Sequence, residues 1–473
     1  MDKSIFHEIG KWIERVDELV WGPWMLVLLL GTGGYLTFKM HFVPLKNLKF
    51  ALLCSIGRME KKQTEDGKES TKGISSFSAL TTELAATIGV GNIVGVSTAM
   101  VLGGPGALLW MMISSLFGLS TKLVESMLSV KYRTRNEQGE YVGGPMYTMV
   151  NGLPHKRLGK LLGVFFSLFA VMASFGMGNM TQSNAIAEAV KVTFGIKEYQ
   201  TGLVVTIATI LVVLGGIGTI ARVTQVLVPV MGIVYMLGTL LVMMTHWENV
   251  PGGIVQIVGM AFCPQAMCGG VCGQLCVSVS EAMRWGISRG VFSNEAGLGV
   301  SGITAAAAET DDYIKQGYIS MTGVFLDTMV ICSATGLAIA ASGVLGTTDE
   351  GGNILTGTTL VIEVFRTALG EFGAAFVSIC IVLFAFATIV GWAYQGEKAF
   401  EFLVGSRFCM CYRFFYALIT YAGTVCTLKL VWDFSDICNA LMAIPNLICL
   451  LWMSKKSCEE ILDYDKTRNN RSS

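Results

Sequence analysis

The feature that most constrains this chain is a succession of apolar runs, each about as long as a bilayer is thick. A helix rises about 1.5 Å per residue, so roughly 20 apolar residues cross the hydrocarbon core. Eleven such runs occur, at about 20–38, 77–101, 105–130, 161–190, 200–217, 223–245, 253–281, 317–342, 369–395, 412–428 and 434–453. In hydrocarbon every backbone N–H and C=O must find a partner within the protein, which makes helices the expected conformation of such runs. Composition agrees, with 52% hydrophobic and 14% charged residues, where soluble proteins carry about 25% charged. The expectation is one all-α membrane domain with about 11 transmembrane helices. Its balanced formal charge gives no electrostatic pointer to nucleic acid.

Basic residues orient the spans, because cytoplasmic loops are enriched in Lys and Arg. With the N-terminus outside, 26 of them fall in segments assigned inside and six in segments assigned outside, the latter including residues 1–19 and the former including 282–316. The C-terminus is then cytoplasmic. Residues 57–73 form a hydrophilic loop. The first twenty residues carry no secretory signal pattern and place Ile5, Phe6, Ile9, Trp12, Ile13, Val16, Leu19 and Val20 on one helical stripe. That stripe suits a helix lying in the membrane interface or one packed on the bundle. Cys263, Cys268, Cys272 and Cys276 match no zinc or iron–sulfur spacing, and read as small side chains of a membrane helix.

One span interrupts itself. In T-I-G-V-G-N-I-V-G, residues 87–95, Gly89, Gly91, Gly95 and the amide of Asn92 weaken a helix at mid-depth. A first half-helix ending near Ile88 offers unpaired carbonyls to a small cation. A second half-helix starting after Gly91 offers N–H groups around Val90, Gly91 and Asn92 to a carboxylate. Small-residue helix packing is the alternative, although a polar amide at this depth favours a cavity. A second Gly-interrupted run, A-F-C-P-Q-A-M-C-G-G at 261–270, comes five spans later. Paired broken helices at corresponding places mark the binding site of inverted-repeat transporters. The expected organisation is an N-terminal segment, extra helix and loop (1–74), two five-helix repeats (75–245 and 252–453) and a tail (454–473).

Further polar residues lie inside spans. Asn179, Gln182, Asn184 and Glu188 share one apolar segment, so some of them face a polar interior. Lys122 and Glu125, one turn apart, read as a mutually neutralising pair. Asp327 is a proton or cation site, or a charge paired within the bundle. Thr388 offers a hydroxyl to a cation, and Trp392 is either an apolar pocket wall or an interfacial belt residue.

Several motifs together resemble the alanine or glycine:cation symporter family, the sodium:alanine symporters of bacteria and archaea. They are T-I-G-V-G-N-I-V-G-V (87–96), G-G-P-G-A-L-L-W (103–110), G-G-P-M-Y (143–147), G-N-M-T-Q-S-N (178–184), R-G-V-F-S-N-E-A-G-L-G (289–299) and G-W-A-Y-Q-G-E (391–397). The resemblance implies a leucine-transporter-type fold, two inverted five-helix repeats preceded by one helix, in a cell membrane. It implies substrate positions at Thr87, Gly89, Gly91 and Asn92, with backbone amides taking the carboxylate, and pocket residues Gln182, Phe262 and Trp392. Sodium, the coupling ion, would be held by the carbonyls of Ala85 and Ile88 and the hydroxyl of Thr388. No other cofactor is implied, and a monomer suffices. The topology puts the 292–299 motif in a cytoplasmic segment, where Arg284 and Arg289 suit it to closing an inner gate. Val90 and Val300 stand where the family pattern leads one to expect a smaller or polar residue.

The reading is therefore a secondary symporter importing a small neutral amino acid (alanine, or else glycine or serine) with sodium by alternating access. A proton-coupled carrier is the alternative. A channel lacks support, since one localised site is not a continuous polar lining. Enzyme chemistry lacks support as well: the four histidines sit at ends or in loops, and no H-E-x-x-H, G-x-S-x-G or G-x-x-x-x-G-K-[ST] occurs.

Overall fold

The computed structural model describes residues 3–57, 73–262, 278–349, 351–426 and 428–472. Helix α1 (Lys3–Val20) leads into α2 (Pro23–Lys39), whose proline takes a first-turn position where a missing N–H costs nothing. Two short helices follow, α3 (Val43–Lys46) and α4 (Leu48–Ser55). Helix α5 (Ser76–Thr87) starts where the Ser75 hydroxyl accepts from Ser78 N at 3.0 Å, and stops where Ile88 leaves helical geometry (ψ 86°). A single 3-10 turn, Val90–Asn92, separates it from α6 (Val94–Leu102). Next come α7 (Ala107–Lys131), a two-residue antiparallel hairpin of β1 (Thr134–Arg135) and β2 (Tyr141–Val142), and α8 (Pro145–Gly152).

Helices α9 (Lys156–Phe175) and α10 (Thr181–Phe194) run on through a π-helical segment, Gly176–Met180. They are followed by α11 (Glu198–Val213), α12 (Gly216–Thr245) and α13 (Val250–Phe262). After residue 277 a capping box of Ser278 and Glu281 starts α14 (Val279–Asn294). Beyond it lie α15 (Ser301–Ala305), and α16 (Tyr313–Val324), continued by a π-helical segment (Phe325–Cys332) into α17 (Ser333–Ser342). The last helices are α18 (Gly357–Val404), bent at Gly370 where φ is +66°, α19 (Cys409–Val425) and α20 (Leu428–Ser472).

Among the described residues six helical stretches are long and apolar enough to cross a membrane: Ala107–Lys131, Lys156–Phe194, Gly216–Thr245, Tyr313–Ser342, Gly357–Val404 and Val431–Asn470. The other expected spans fall on shorter or interrupted helices. Helix α7 packs on α16 and α14, α11 on α19, α18 on α9, α10 and α12, and α20 on α9. Helix α5 lies between α12 and α18. The approach to α18 is at backbone distance, because a Cβ on Gly391 would stand 2.7 Å from Ala86 N. One residue links three helical segments: the Tyr416 hydroxyl donates to Gly178 O (3.0 Å) and Ile389 O (2.8 Å), and its backbone carbonyl accepts from Asn179 Nδ2 (2.7 Å). Asn184 likewise donates to Gly423 O and Cys426 O, so two of the amides noticed in this span join it to α19.

Contacts relocate one crossing. Arg284, counted inside, lies 3.6 Å from Asp17, counted outside, and its neighbour Arg289 is paired with Asp436 near the start of the last span. At the other end of the motif, Glu309 N donates to Ile74 O, and Arg133 donates to the carbonyls of Ala306, Ala308 and Thr310. The chain therefore passes from the face of residues 1–19 to the face of residues 73 and 133 between 284 and 306. Helices α14 and α15 make this passage; of the run 253–281, where the crossing was expected, residues 263–277 lie outside the described residues. The 292–299 stretch is thus no surface loop: Asn294 and Glu295 are buried, and α14 packs on α6 and on the 3-10 turn. The interruption expected at 261–270 and the cysteines at 263, 268, 272 and 276 lie outside the described residues, apart from Ala261 and Phe262.

On the face of Arg133, the hairpin is tied to the end of α18. Lys398 Nζ binds Glu140 (2.9 Å) and Glu401 (2.8 Å), and Asn136 donates to Glu401 (2.9 Å). Burial pushes the Glu140 carboxyl up, but the Lys398 ammonium and two hydrogen bonds outweigh it and hold the group below its ordinary value. Helix α1 runs along α20, burying Asp17 and Val20 and leaving Trp12 and Leu19 exposed, which realises the bundle-packed reading over part of its length.

Candidate functional site

The first interruption sets buried polar side chains next to open backbone. Ile88 ends α5 by donating its own N–H to Leu84 O at 2.7 Å. At the next residue, a Cβ on Gly89 would stand 2.2 Å from Thr388 Oγ1 and 3.1 Å from Gln182 Oε1, so only glycine fits between α18 and α10. Thr388 Oγ1 donates to Ala85 O at 3.0 Å and to Phe384 O at 3.2 Å. The carbonyl end of α5, with its partial negative charge, thereby meets a hydroxyl from a neighbouring helix. Oxygen atoms so arranged are what a small hard cation takes.

On the amide side, Val90 N donates to Gln182 Oε1 at 3.1 Å and Asn92 N to Gly89 O at 3.3 Å. Two of the three N–H groups expected to be free are therefore engaged. The Gln182 oxygen sits on Val90 N as a carboxylate oxygen would. Asn92 does not point into open space either: Oδ1 accepts from Gly89 N (2.9 Å), and Nδ2 donates to Asp327 Oδ1 (2.6 Å) and O (3.3 Å). The Asp327 carboxylate also accepts from Ser293 Oγ (3.1 Å) and Thr328 Oγ1 (2.8 Å). Cys332 Sγ lies 3.3 Å from Asn92 Nδ2 and 3.4 Å from Ser293 Oγ. Gly91 faces the backbone of Ser293, where a Cβ would come within 3.0 Å of Cα.

The structure thus brings Ala85, Gly89, Gly91, Asn92, Gln182 and Thr388 to one place. Thr87 is beside them, but its hydroxyl bonds back to Glu83 O (3.2 Å) and Leu84 O (3.4 Å) of its own helix. Trp392 is fully buried, one turn from Thr388 and against Gly178, so it is no belt residue. Phe262 stands apart from the cluster: it ends α13, 54% exposed, with its ring edge-on to Trp110. The family resemblance had implied a pocket position for it, whereas the chain folds α13 against α17 and α7. Asp327, Ser293 and Cys332 complete the site. Asp327 was visible as a lone intramembrane carboxylate, while Ser293 was hidden in a motif read as a loop.

The second interruption is equally polar. Helix α14 is capped by Glu295, a non-glycine residue in left-handed geometry (φ +58°), and the chain resumes as a helix at Ser301. Lys122 Nζ donates to Asn294 O (3.0 Å) and Ser301 Oγ and lies 3.4 Å from Glu83 Oε1. The expected pair with Glu125 is replaced, since Glu125 Oε1 accepts from Asn446 Nδ2 (2.5 Å). Neighbouring helices supply closer partners than the next turn does.

A helical membrane bundle in which two interrupted helices meet at a buried polar centre is the architecture of secondary transporters. The fold matches the crystal structure of MhsT in complex with L-phenylalanine, with a TM-score of 0.60 over 82% of this chain and 90% of that one, at 13% identity. The chain belongs to the sodium:alanine symporter family, whose model matches residues 6–473. It is 44% identical over 461 residues to the sodium/alanine symporter AgcS of Methanococcus maripaludis, covering 97% of this chain and 98% of that one. It is 31% identical over 468 residues to the amino-acid carrier protein AlsT of Bacillus subtilis, covering 98% and 94%. The protein is a multi-pass membrane protein of leucine-transporter-type fold, with a role in transport rather than catalysis.

Proposed function

We propose that the protein imports a small neutral amino acid, alanine foremost with glycine and serine as alternatives, together with sodium by alternating access. The observation that carries this is the first interruption, where the carbonyl end of α5 and the Thr388 hydroxyl lie beside the N–H groups of the 3-10 turn. A cation and a carboxylate are thereby accommodated within one buried break. Sodium is held by Ala85 O, Ile88 O and Thr388 Oγ1. The substrate carboxylate displaces Gln182 Oε1 from Val90 N and reaches Gly91 and Asn92, while Trp392 bounds the side chain. The Asn92–Asp327 pair fixes the turn, and the Asp327 carboxylate draws the substrate ammonium toward that side. At Gly89 any side chain would enter the cation position beside Thr388.

The helices from α5 to α12 and from α14 to α20 act as two inverted five-helix repeats, each opening with an interrupted helix. The N-terminus is outside, the C-terminus inside, and a monomer is the working unit. No further cofactor is required. Uptake of labelled alanine into liposomes, with and without an inward sodium gradient at fixed pH and zero potential, tests the proposal. Accumulation only with the gradient supports it; alanine uptake independent of sodium overturns the coupling. The second outcome favours a proton as coupling ion, a reading supported by Asp327 within the site.

A further inference from the structure

The two interruptions treat the carbonyl end of their first half-helix differently. At the first, Ala85 O is met by a neutral hydroxyl. At the second, Asn294 O, at the end of α14, is met by an ammonium, Lys122 Nζ, which also contacts the Ser301 hydroxyl at the start of the next half-helix and the Glu83 carboxylate of α5. All four side chains are at most 2% exposed. A helix-terminal carbonyl, a hydroxyl and a carboxylate from separate elements form the type of oxygen set that a hard cation takes, and the carbonyl carries the negative end of the α14 dipole. Ser301 Oγ also donates to Glu295 Oε2 (3.0 Å), and the carboxyl groups of Glu83, Glu125 and Glu295 are all buried. The surroundings therefore call for positive charge, and the fold supplies one on a covalent stem.

We propose that the Lys122 ammonium is a tethered cation that fills the cation position of the second interruption, so that one sodium ion, at the first interruption, accompanies each transport cycle. The proposal rests on the sodium coupling argued above. A second free cation would meet a like charge it cannot displace without leaving an amine buried among carboxyl groups. Lys122 is a positioning residue in this account: it holds α14, α15 and α5 in register as a bound ion would.

Equilibrium binding of radioactive sodium to the purified full chain at pH 8 tests it. The wild type is expected to saturate at one sodium per chain, with alanine uptake first order in sodium. Lys122→Ala, which leaves the carboxyl groups and opens room, is expected to take up a second sodium and raise the Hill coefficient from about 1 to about 2. Two sodium ions per wild-type chain, or a folded Lys122→Ala chain that still binds one with unchanged order, overturns the tethered cation and leaves the coupling intact. No sodium binding with sodium-independent uptake overturns both. Should Lys122→Ala not fold, the wild-type ratio decides, and the charge-cancelled pair Lys122→Met with Glu83→Gln is expected to bind one.

Discussion

Exchanging Asn92 and Asp327 provides a sharp test of how the first interruption is held. The two side chains are fully buried, with Asn92 Nδ2 2.6 Å from Asp327 Oδ1. Asn92→Ala removes a hydrogen bond to a carboxylate, worth about 1.5–3 kcal/mol, and leaves Gly89 N–H unpaired at about 1–3 kcal/mol. The expected loss is about 2.5–6 kcal/mol, a large part of the roughly 5–15 kcal/mol typical of a folded protein. The variant folds with a lowered melting temperature and loses alanine uptake. Asn92→Asp alone sets two carboxyl groups against each other. The double exchange, Asn92→Asp with Asp327→Asn, reverses donor and acceptor: position 92 still accepts from Gly89 N and position 327 now donates. Thermal unfolding in detergent, followed by tryptophan fluorescence, is expected to give a coupling of at least about 2 kcal/mol, with uptake partly restored. Additivity of the two single changes within about 0.5 kcal/mol would refute the donor–acceptor account.

Other outcomes follow from the same geometry. Gly89→Ala drives a methyl group into Thr388 and Gln182, and is expected to abolish uptake while lowering stability by about 1–3 kcal/mol in the same melting assay. Thr388→Val removes the hydroxyl near Ala85 O and is expected to raise the sodium concentration for half-maximal uptake about tenfold, about 1.4 kcal/mol, with Thr388→Ser close to wild type. An impermeant maleimide is expected to label Ser280→Cys and Glu309→Cys, each in a cysteine-free chain, from opposite sides of the membrane; labelling from one side would cancel the crossing by α14 and α15. The Glu140 carboxyl, held low in the folded state, contributes stability above its unfolded pKa of about 4.3, and this is lost as pH falls through the folded value. Glu140→Gln is therefore expected to melt earlier at pH 7, by no more than about 1 kcal/mol for this partly exposed pair, and to match the wild type once the pH has fallen below the folded value.

The legible part of this structure is the part written in apolar length and glycine. Runs such as 161–190 and 223–245 have only one fold in hydrocarbon, and Gly89, Gly91 and Asn92 break a run whose flanks are unambiguous. The second interruption escaped because its charges mimic a loop. Arg284, Arg289 and Glu295 lower the hydropathy of 282–299, and what allows Arg289 and Glu295 to be buried is tertiary: Asp436 for Arg289, and Ser301 for Glu295. Hydropathy registers a charge but not the partner that comes 147 residues later in the chain. Lys122 and Glu125 failed for a related reason, since a spacing of three promised a local pair while α5 and α20 brought better partners. Phe262, carried over from the family pattern, lies at the exposed end of α13 instead.

The Tyr416 hydroxyl has a kinetic consequence. By joining the carbonyls of Gly178 and Ile389 it removes the relative sliding of α10, α18 and α19 as a cheap motion, since any slip of one past another strands a polar group in hydrocarbon. Those helices should move as a single block, and their backbone amides should exchange with deuterium on one common, slow time course. Replacing Tyr416 with Phe would let that time course divide into three.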